Sequence, residues 1–250
     1  MSAATLFPEV TRRAGEGAIE PFFQPVVRLE DETVSGFEAL ARWRTSAGEI
    51  ARIDLFPAHA WTSEAMRIGR WATRAALARF AAWRGARSET LGINITGRDL
   101  SDGGADFVLE AVAEAGVAPS AVTVELTEHH WLSDISRAAE DLARLRGAGM
   151  RIALDDFGAG HASLSWLARL PADIVKLDQS FIRFVDRDTT ERRIVRAVLD
   201  LCAELSIAAV GEGVESESQR DALRAMGCTY GQGRLWAMPL PAEEAFALAS

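Results

Sequence analysis

Two adjacent carboxylates, Asp155 and Asp156, are the residues of this sequence most suited to chemistry. They follow the apolar run Ile152–Leu154 and stand directly before Phe157 and Gly158. Neighbouring strand residues point to opposite faces, so a strand that continued past both aspartates would place one of them on a face unsuited to a charged side chain. Both can converge on a cation if the strand ends there and the glycine lets the backbone turn. A strand followed by an ordinary polar turn is the simpler interpretation, and the rest of the chain must decide between the two.

The same pattern, an apolar run that ends in a polar residue, recurs along the chain. The polar residues in these positions are Glu38, Asn94, Glu125, Glu128, Asp155, Asp156, Lys176, Asp178, Glu212, Glu215 and Gln232. Carboxylates with an amide oxygen are hard ligands that suit Mg²⁺ or Mn²⁺, and no set of Cys or His supports zinc. A single lysine among acids can stay charged and contact a phosphate or an attacking water. The pattern predicts one polar site built from several strands.

The elements that must position these residues alternate regularly from residue 91 onwards, as apolar strand, loop and amphipathic helix. Repeated units of this kind predict the α/β class and favour a TIM-type (β/α)8 barrel, in which functional groups lie at the C-terminal ends of the strands. An open doubly wound sheet should show a glycine-rich phosphate fingerprint after an early strand, and the sequence has none. Phe22–Val27 and Thr33–Trp43 predict an antiparallel hairpin, so we expect the first strand to be antiparallel.

The whole chain of 250 residues is expected to fold, because 48% of it is apolar and it has no low-complexity tract. Residues 5–19 predict a leading helix, which divides the chain into an N-terminal extension at 1–20 and a barrel domain at 21–250.

Cys202 and Cys228 match no metal-ligand spacing and indicate buried thiols in a reducing compartment. The sequence shows neither a signal-peptide pattern nor a run that could span a bilayer, so we expect a cytoplasmic protein or a cytoplasmic piece of a larger one.

The net charge of −9 argues against binding of a nucleic-acid polymer, which needs a positive surface. It also limits how a phosphate ligand could bind. An acidic site can hold a phosphodiester only if a cation lies between them, so a metal ion becomes part of the hypothesis.

Six short motifs carry a resemblance to a known family. They are Glu38-Ala39-Leu40 followed by Arg42, Asn94-Ile95-Thr96, Glu125-Leu126-Thr127-Glu128, Asp155-Asp156-Phe157-Gly158, Lys176-Leu177-Asp178 and Glu212-Gly213-Val214-Glu215. In this order they resemble the EAL domain family, which are phosphodiesterases of cyclic di-GMP. The resemblance covers residues 22–248. No single tripeptide is specific, but six motifs in one order are very specific.

The resemblance implies hydrolysis of cyclic di-GMP to the linear dinucleotide, with two Mg²⁺ or Mn²⁺ ions as cofactors. By resemblance, one metal is bound by Glu38, Asn94, Glu125 and Asp155, and the second by Asp155 and Asp156. The resemblance also implies that Lys176 contacts the attacking water and that Glu212 is the general base or a ligand of metal-linked water. It further implies that the substrate is contacted by Gln24, Leu40, Arg42, Asp178 and Gln232, and that Glu128 anchors the loop 157–163 with support from Glu215. Ca²⁺ has longer bonds to oxygen, so it is expected to allow substrate binding and to inhibit hydrolysis.

Two alternatives remain open at this stage. Residues 58–66, His161 and the residue before Pro239 depart from the usual pattern of the family, although none of these departures removes a metal ligand. The chain could therefore be an EAL-type receptor that binds cyclic di-GMP with weak or no hydrolysis. It could also be an unrelated metal-dependent barrel enzyme. A homodimer and a sensory or regulatory partner are possible in each case, and Trp236 could stack on guanine or pack in the core.

Overall fold

The computed structural model of the protein describes residues 18–44, 49–52, 63–85, 87–127, 134–158, 164–187 and 189–249. The strands in this part are β1 (Ala18–Arg28), β2 (Val34–Arg44), β3 (Ile50–Arg52), β4 (Thr90–Thr96), β5 (Val122–Thr127), β6 (Arg151–Phe157), β7 (Ile174–Leu177), β8 (Ala208–Gly211) and β9 (Tyr230–Gly231). The helices are α1 (Ser63–Arg84), α2 (Gly97–Ser101), α3 (Gly104–Ala115), α4 (Ile135–Gly147), α5 (Leu164–Leu167), α6 (Gln179–Ile182), α7 (Thr190–Glu204), α8 (Glu217–Ala225) and α9 (Ala242–Ala247).

Eight of these strands close into a barrel. Strand β1 pairs antiparallel with both β2 and β9. From β2 the ring continues through β4, β5, β6, β7 and β8 to β9, with parallel pairing at every step. Strand β3 pairs with the end of β2 outside the ring. The predicted TIM-type barrel and its antiparallel first strand are confirmed.

Strand alternation separates an outer core from the barrel interior. In β5, Val122 and Val124 are fully buried in the large apolar core between the barrel and the helices. Thr123 and Glu125, the alternate residues, line the barrel interior. The helices that cover the outer face are amphipathic, and none within the described residues has both the length and the apolar composition needed to cross a bilayer. The period-2 pattern of each strand therefore aims a short column of side chains into the barrel.

The structure differs from the predicted elements at four places. The leading helix predicted over residues 5–19 runs too far, because Ala18 already begins β1 and pairs with Arg44. Residues 1–17 lie outside the described part, so the division into an extension at 1–20 and a barrel at 21–250 stays a prediction. Strand β3 and the short helices α2 and α6 are additional elements, and three to five residues carry too little periodicity to predict them.

A cluster of aromatic rings fixes α9 against the barrel. The ring of Phe246 lies 4.6 Å from Trp83, 4.7 Å from Phe23, 5.1 Å from Phe37 and 6.4 Å from Phe80, measured between centroids. These partners belong to β1, β2 and α1, so a single side chain of the C-terminal helix joins the first part of the chain to the last. Aromatic pairs at such distances add to the stability that burial of the rings provides.

We expect the substitution Phe246→Ala to lower the free energy of unfolding by about 3–5 kcal/mol, because it removes a buried ring from the centre of this cluster. Urea denaturation of the full chain measures the change. Leu248→Ala is the matched control, since Leu248 follows the same helix and is 45% exposed; it should change stability by less than about 0.5 kcal/mol. Similar losses in the two variants would show that the aromatic cluster does not hold the helix.

Candidate active site

Lys176 lies at the centre of a ring of carboxylates at the C-terminal ends of the strands. Its Nζ atom is 2.6 Å from Glu125 Oε2, 2.9 Å from Glu212 Oε1, 3.0 Å from Asp155 Oδ1 and 3.2 Å from Glu38 Oε2. The four acids come from β2, β5, β6 and the residue after β8, so only the closed barrel brings them together. The side chain of Lys176 is 3% exposed, and one buried ammonium is thus shared by four carboxylates.

Two amide side chains hold the Glu38 carboxylate in place. Asn94 Nδ2 donates a hydrogen bond of 2.9 Å to Glu38 Oε1, and Gln232 Nε2 donates one of 2.7 Å to Glu38 Oε2. Gln232 Nε2 also lies 3.2 Å from Gln24 Oε1, and Gln24 Nε2 donates to the Ala237 carbonyl at 3.1 Å. Since the Asn94 nitrogen is used by Glu38, the Asn94 amide oxygen is the atom that could serve as a metal ligand.

A bulge in β6 allows two adjacent aspartates, which a regular strand would turn to opposite faces, to belong to one group. Leu154 pairs with Val175 and Phe157 with Leu177, so three steps on β6 match two on β7. Within the bulge Asp156 has φ of +52°, in the left-handed region that non-glycine residues rarely adopt. The extra residue interrupts the strand alternation, and Asp155 and Asp156 each offer a carboxylate oxygen to one group with Glu212.

Burial and neighbouring charge shift the Glu38 and Lys176 pKa values in opposite directions. Burial alone would raise the pKa of Glu38, but the Lys176 ammonium and the donors Asn94 and Gln232 outweigh it and hold that pKa below its usual value. Burial alone would lower the pKa of Lys176, but the surrounding carboxylates raise it well above its usual range. Lys176 is therefore charged at neutral pH, and Glu38 is ionised.

Glu125 and Glu212 behave differently, because burial dominates. Burial raises the pKa of Glu125 to about 8, with Lys176 opposing the rise and the charges of Glu38 and Asp155 adding to it. Burial also raises the pKa of Glu212 above its usual value, again opposed by Lys176. A single ammonium cannot compensate the whole ring, so additional positive charge would favour the ionised forms of both acids.

The carboxylates fall into two groups that could each hold a cation. One group is Glu38, Glu125 and Asp155, and the other is Asp155, Asp156 and Glu212; within each, the ligand oxygens lie within 4.8 Å of one another. Asp155 belongs to both groups, as the resemblance implied for a bridging ligand. Buried carboxylate oxygens fit the chemistry of Mg²⁺ and Mn²⁺. The donor set therefore suits two divalent cations, and Glu212, which sequence reasoning assigned to another role, belongs to the second group.

Gly92 is a residue of this site that sequence reasoning missed. A Cβ at this position would collide with Glu125 Oε1, so only glycine leaves room for the carboxylate. Gly92 stands two residues before Asn94 in β4, and Asn94 pairs with Glu125 in the parallel register. The available signal was this spacing, because residues two apart in a strand share a face.

Three further predicted residues lie in or directly after the strands that carry the ring. Leu40 and Arg42 follow Glu38 on the same face of β2 and are partly buried, with Arg42 Nη1 donating to the Ala41 carbonyl at 3.1 Å. The Asp178 carboxylate accepts a 2.9 Å hydrogen bond from the Ser180 backbone and so caps α6.

The residues predicted to support the loop after β6 are only partly described. Glu215 accepts a 2.8 Å hydrogen bond from Arg234 in an exposed ion pair. Glu128, His161 and residues 58–62 lie outside the described residues, so their predicted roles stay predictions. Trp236 packs against the apolar core beside Gly231, which favours packing over guanine stacking for this side chain.

Comparison with known proteins decides the family. The family model of the EAL domain matches residues 9–239. This chain belongs to the EAL domain family. Among curated relatives of this EAL domain, a signalling protein of Caulobacter vibrioides is 37% identical over 223 residues, covering 88% of this chain and 27% of that protein. A cyclic di-GMP phosphodiesterase of Pseudomonas aeruginosa is 33% identical over 248 residues, covering 97% of this chain and 42% of that protein.

Solved structures agree with the barrel over most of the EAL domain. The MucR phosphodiesterase of Pseudomonas aeruginosa, solved with cyclic di-GMP, has a TM-score of 0.84 and 30% identity, over 96% of this chain and 99% of that chain. The Klebsiella pneumoniae protein BlrP1, solved with manganese and cyclic di-GMP, has a TM-score of 0.78 and 29% identity, over 89% of this chain and 56% of that chain. The chain spans between 27% and 42% of the length of these curated relatives.

We expect Gly92→Ala to weaken binding of a divalent cation by about 10- to 100-fold, since the added methyl group displaces the Glu125 carboxylate. Titration calorimetry with Mn²⁺ measures the affinity. Gly69→Ala is the matched control, because a Cβ at Gly69 meets nothing within 4 Å. Equal Mn²⁺ affinity in wild type and Gly92→Ala would show that Glu125 is not a ligand.

The raised pKa of Glu125 predicts pH-dependent cation binding. The pKa of Glu125 is raised to about 8 when no cation is bound, and the proton that it holds must leave before the carboxylate can bind a cation. This proton alone should make the Mn²⁺ affinity of the chelator-treated protein rise by up to about tenfold per pH unit from pH 6 to 8, and the raised pKa of Glu212 adds to the rise. Glu125→Gln should bind more weakly with a shallower slope, and a flat wild-type profile would contradict the argument.

Proposed function

We propose that this EAL domain hydrolyses one phosphodiester bond of cyclic di-GMP to give the linear dinucleotide, with Mg²⁺ or Mn²⁺ as cofactors. The observation that carries the proposal is the pair of carboxylate groups that share Asp155 around Lys176. Relatives named as cyclic di-GMP phosphodiesterases, and a structural neighbour solved with the dinucleotide, support the choice of substrate.

The ligand set follows from the two groups. Glu38, Asn94, Glu125 and Asp155 would hold one cation, and Asp155, Asp156 and Glu212 would hold the second. When bound, such cations neutralise charge on the phosphate and make a water molecule more acidic. BlrP1 was solved with cyclic di-GMP and either calcium or manganese, which supports divalent cations as a class.

Lys176 and Glu212 are the residues proposed to act on the reacting water and the phosphate. Lys176 is held 2.9 Å from Glu212 Oε1, so the ammonium and a potential general base lie side by side. The Glu212 carboxylate would accept a proton from the attacking water, which requires its ionised form. The Lys176 ammonium would donate to the water or to a phosphate oxygen and stabilise the charge that develops there.

The remaining residues would position the substrate. Arg42, four residues after Glu38 on the same face of β2, has a guanidinium that can bind a phosphate bidentately. Leu40 and Asp178 are proposed to contact the nucleotide. Gln24 and Gln232 were also proposed as substrate contacts, but their hydrogen bonds give them a second role, because Gln232 holds Glu38 and Gln24 holds Gln232.

We also propose that the domain works in the cytoplasm under the control of a regulatory region or partner. Its two cysteines are free and buried, which fits a reducing compartment. Its curated relatives are more than twice as long, which leaves room in those proteins for other domains.

Incubation of the chelator-treated protein with cyclic di-GMP, followed by chromatography of the products, tests the proposal. Mg²⁺ and Mn²⁺ should each give the linear dinucleotide, whereas Ca²⁺ should support binding with little hydrolysis, because its longer bonds misplace the reacting groups. Glu38→Gln should reduce turnover by about 10²-fold or more. Glu114→Gln, which changes an exposed acid of α3, should leave turnover unchanged.

The other outcomes point to the two alternatives. Binding of cyclic di-GMP in all three ions without product in any would identify a receptor rather than an enzyme. Absence of both binding and turnover would indicate a different metal-dependent barrel enzyme. Equal turnover with Ca²⁺ would contradict the geometry proposed for the two cations.

A further inference from the structure

A pocket of about 40 Å³, partly open to solvent, lies in the barrel interior on the far side of the carboxylate ring. Glu125 and Lys176 line the end nearest the carboxylate ring, and the rest of the wall comes mainly from the N-terminal halves of the parallel strands. Small or hydroxyl-bearing residues make up part of its lining, beside the larger Val26, Ile174 and Val210; they are Ser35, Gly36, Thr90, Gly92, Thr123 and Ala153. Large branched side chains fill the interior of most barrels of this type. The interior is thus hollow beneath the proposed active site.

Arg151 brings a charge into this cavity without a matching acid. It is the first residue of β6, it lines the cavity, and its Nη2 donates a 3.1 Å hydrogen bond to Thr90 Oγ1. Its Nε is buried, and no hydrogen-bond acceptor for it exists among the described residues. None of the carboxylates in the described part forms an ion pair with Arg151, in contrast to Lys176, which has four. A buried guanidinium N–H without an acceptor lowers the stability of the fold, so we expect an acceptor to bind at this atom.

The size and charge of the cavity limit what that acceptor can be. A water needs roughly 10–15 Å³ of such volume, so there is room for a particle somewhat larger than water. Thr90 and Thr123 add hydroxyl groups, which can donate to an anion. Glu125 lines the opposite end and would repel an anion, so the favourable position is beside Arg151. Arg151 as a whole is partly exposed, but its Nε is buried without an acceptor in the described part of the chain, and the positive charge favours an anion at that atom over neutral water.

We propose that the cavity binds one small monovalent anion of chloride size at Arg151 Nε. The proposed anion position lies at the end of the pocket away from Glu125 and Lys176, and it does not depend on the reaction proposed above. An anion that binds only the closed barrel stabilises the folded state by mass action.

Thermal unfolding of the full chain in sodium chloride or bromide, compared with sodium gluconate at the same ionic strength, tests the proposal. Gluconate is too large for the cavity, so the midpoint should be about 2 °C or more higher in either halide. Arg151→Met removes the charge and should abolish the difference. Arg137→Met, which changes an exposed arginine of α4, should retain it.

A second variant keeps the test decisive if Arg151→Met does not fold. Ala153→Val retains Arg151 but fills part of the cavity, and it too should lose the halide effect. Crystals grown with bromide should show an anomalous peak within hydrogen-bond distance of Arg151 Nε. Equal midpoints in halide and gluconate for the wild-type protein would overturn the proposal. A halide effect that survives in Ala153→Val, or bromide peaks only elsewhere, would equally overturn it.

Discussion

The interaction on which the site depends is the burial of one ammonium among four carboxylates. Moving charges from water into a protein interior is costly, and Lys176 offsets that cost for Glu38, Glu125, Asp155 and Glu212 at once. The compensation is incomplete, since the pKa of Glu125 stays raised to about 8. A ring of oxygen ligands with a surplus of acid is an environment that binds divalent cations. The same arrangement thus explains why the acids can be buried and why the site should take metal.

Parallel strand register determines which residues meet in this ring. Asn94 pairs with Glu125 across β4 and β5, and Lys176 pairs with Val210 across β7 and β8. A shift of one residue in any of these strands would turn its interior side chains towards the helices. Two local departures from the regular strand pattern complete the site. The bulge at Asp156 adds a second aspartate, and the absence of a side chain at Gly92 makes room for Glu125.

Much of this could be predicted from sequence, because strand ends and helix periodicity are local patterns. The barrel, its antiparallel first strand and the polar residues at the strand ends all follow from such patterns. The central place of Lys176 among four acids could not be predicted, since it depends on distances across the barrel. Gly92 and the role of Gln232 in holding Glu38 depend on contacts between strands in the same way. Strand β3 and the start of β1 at Ala18 were missed because their pattern is short or resembles a helix.

Anomalous diffraction at the manganese edge, from crystals soaked in MnCl₂, tests the central claim most directly. The account predicts two peaks about 3.5–4 Å apart, with Asp155 bound to both. Glu38, Asn94 and Glu125 should surround one peak, and Asp156 and Glu212 should adjoin the other. A single peak, or two peaks that do not share Asp155, would contradict the claim that the carboxylate ring is one site for two cations.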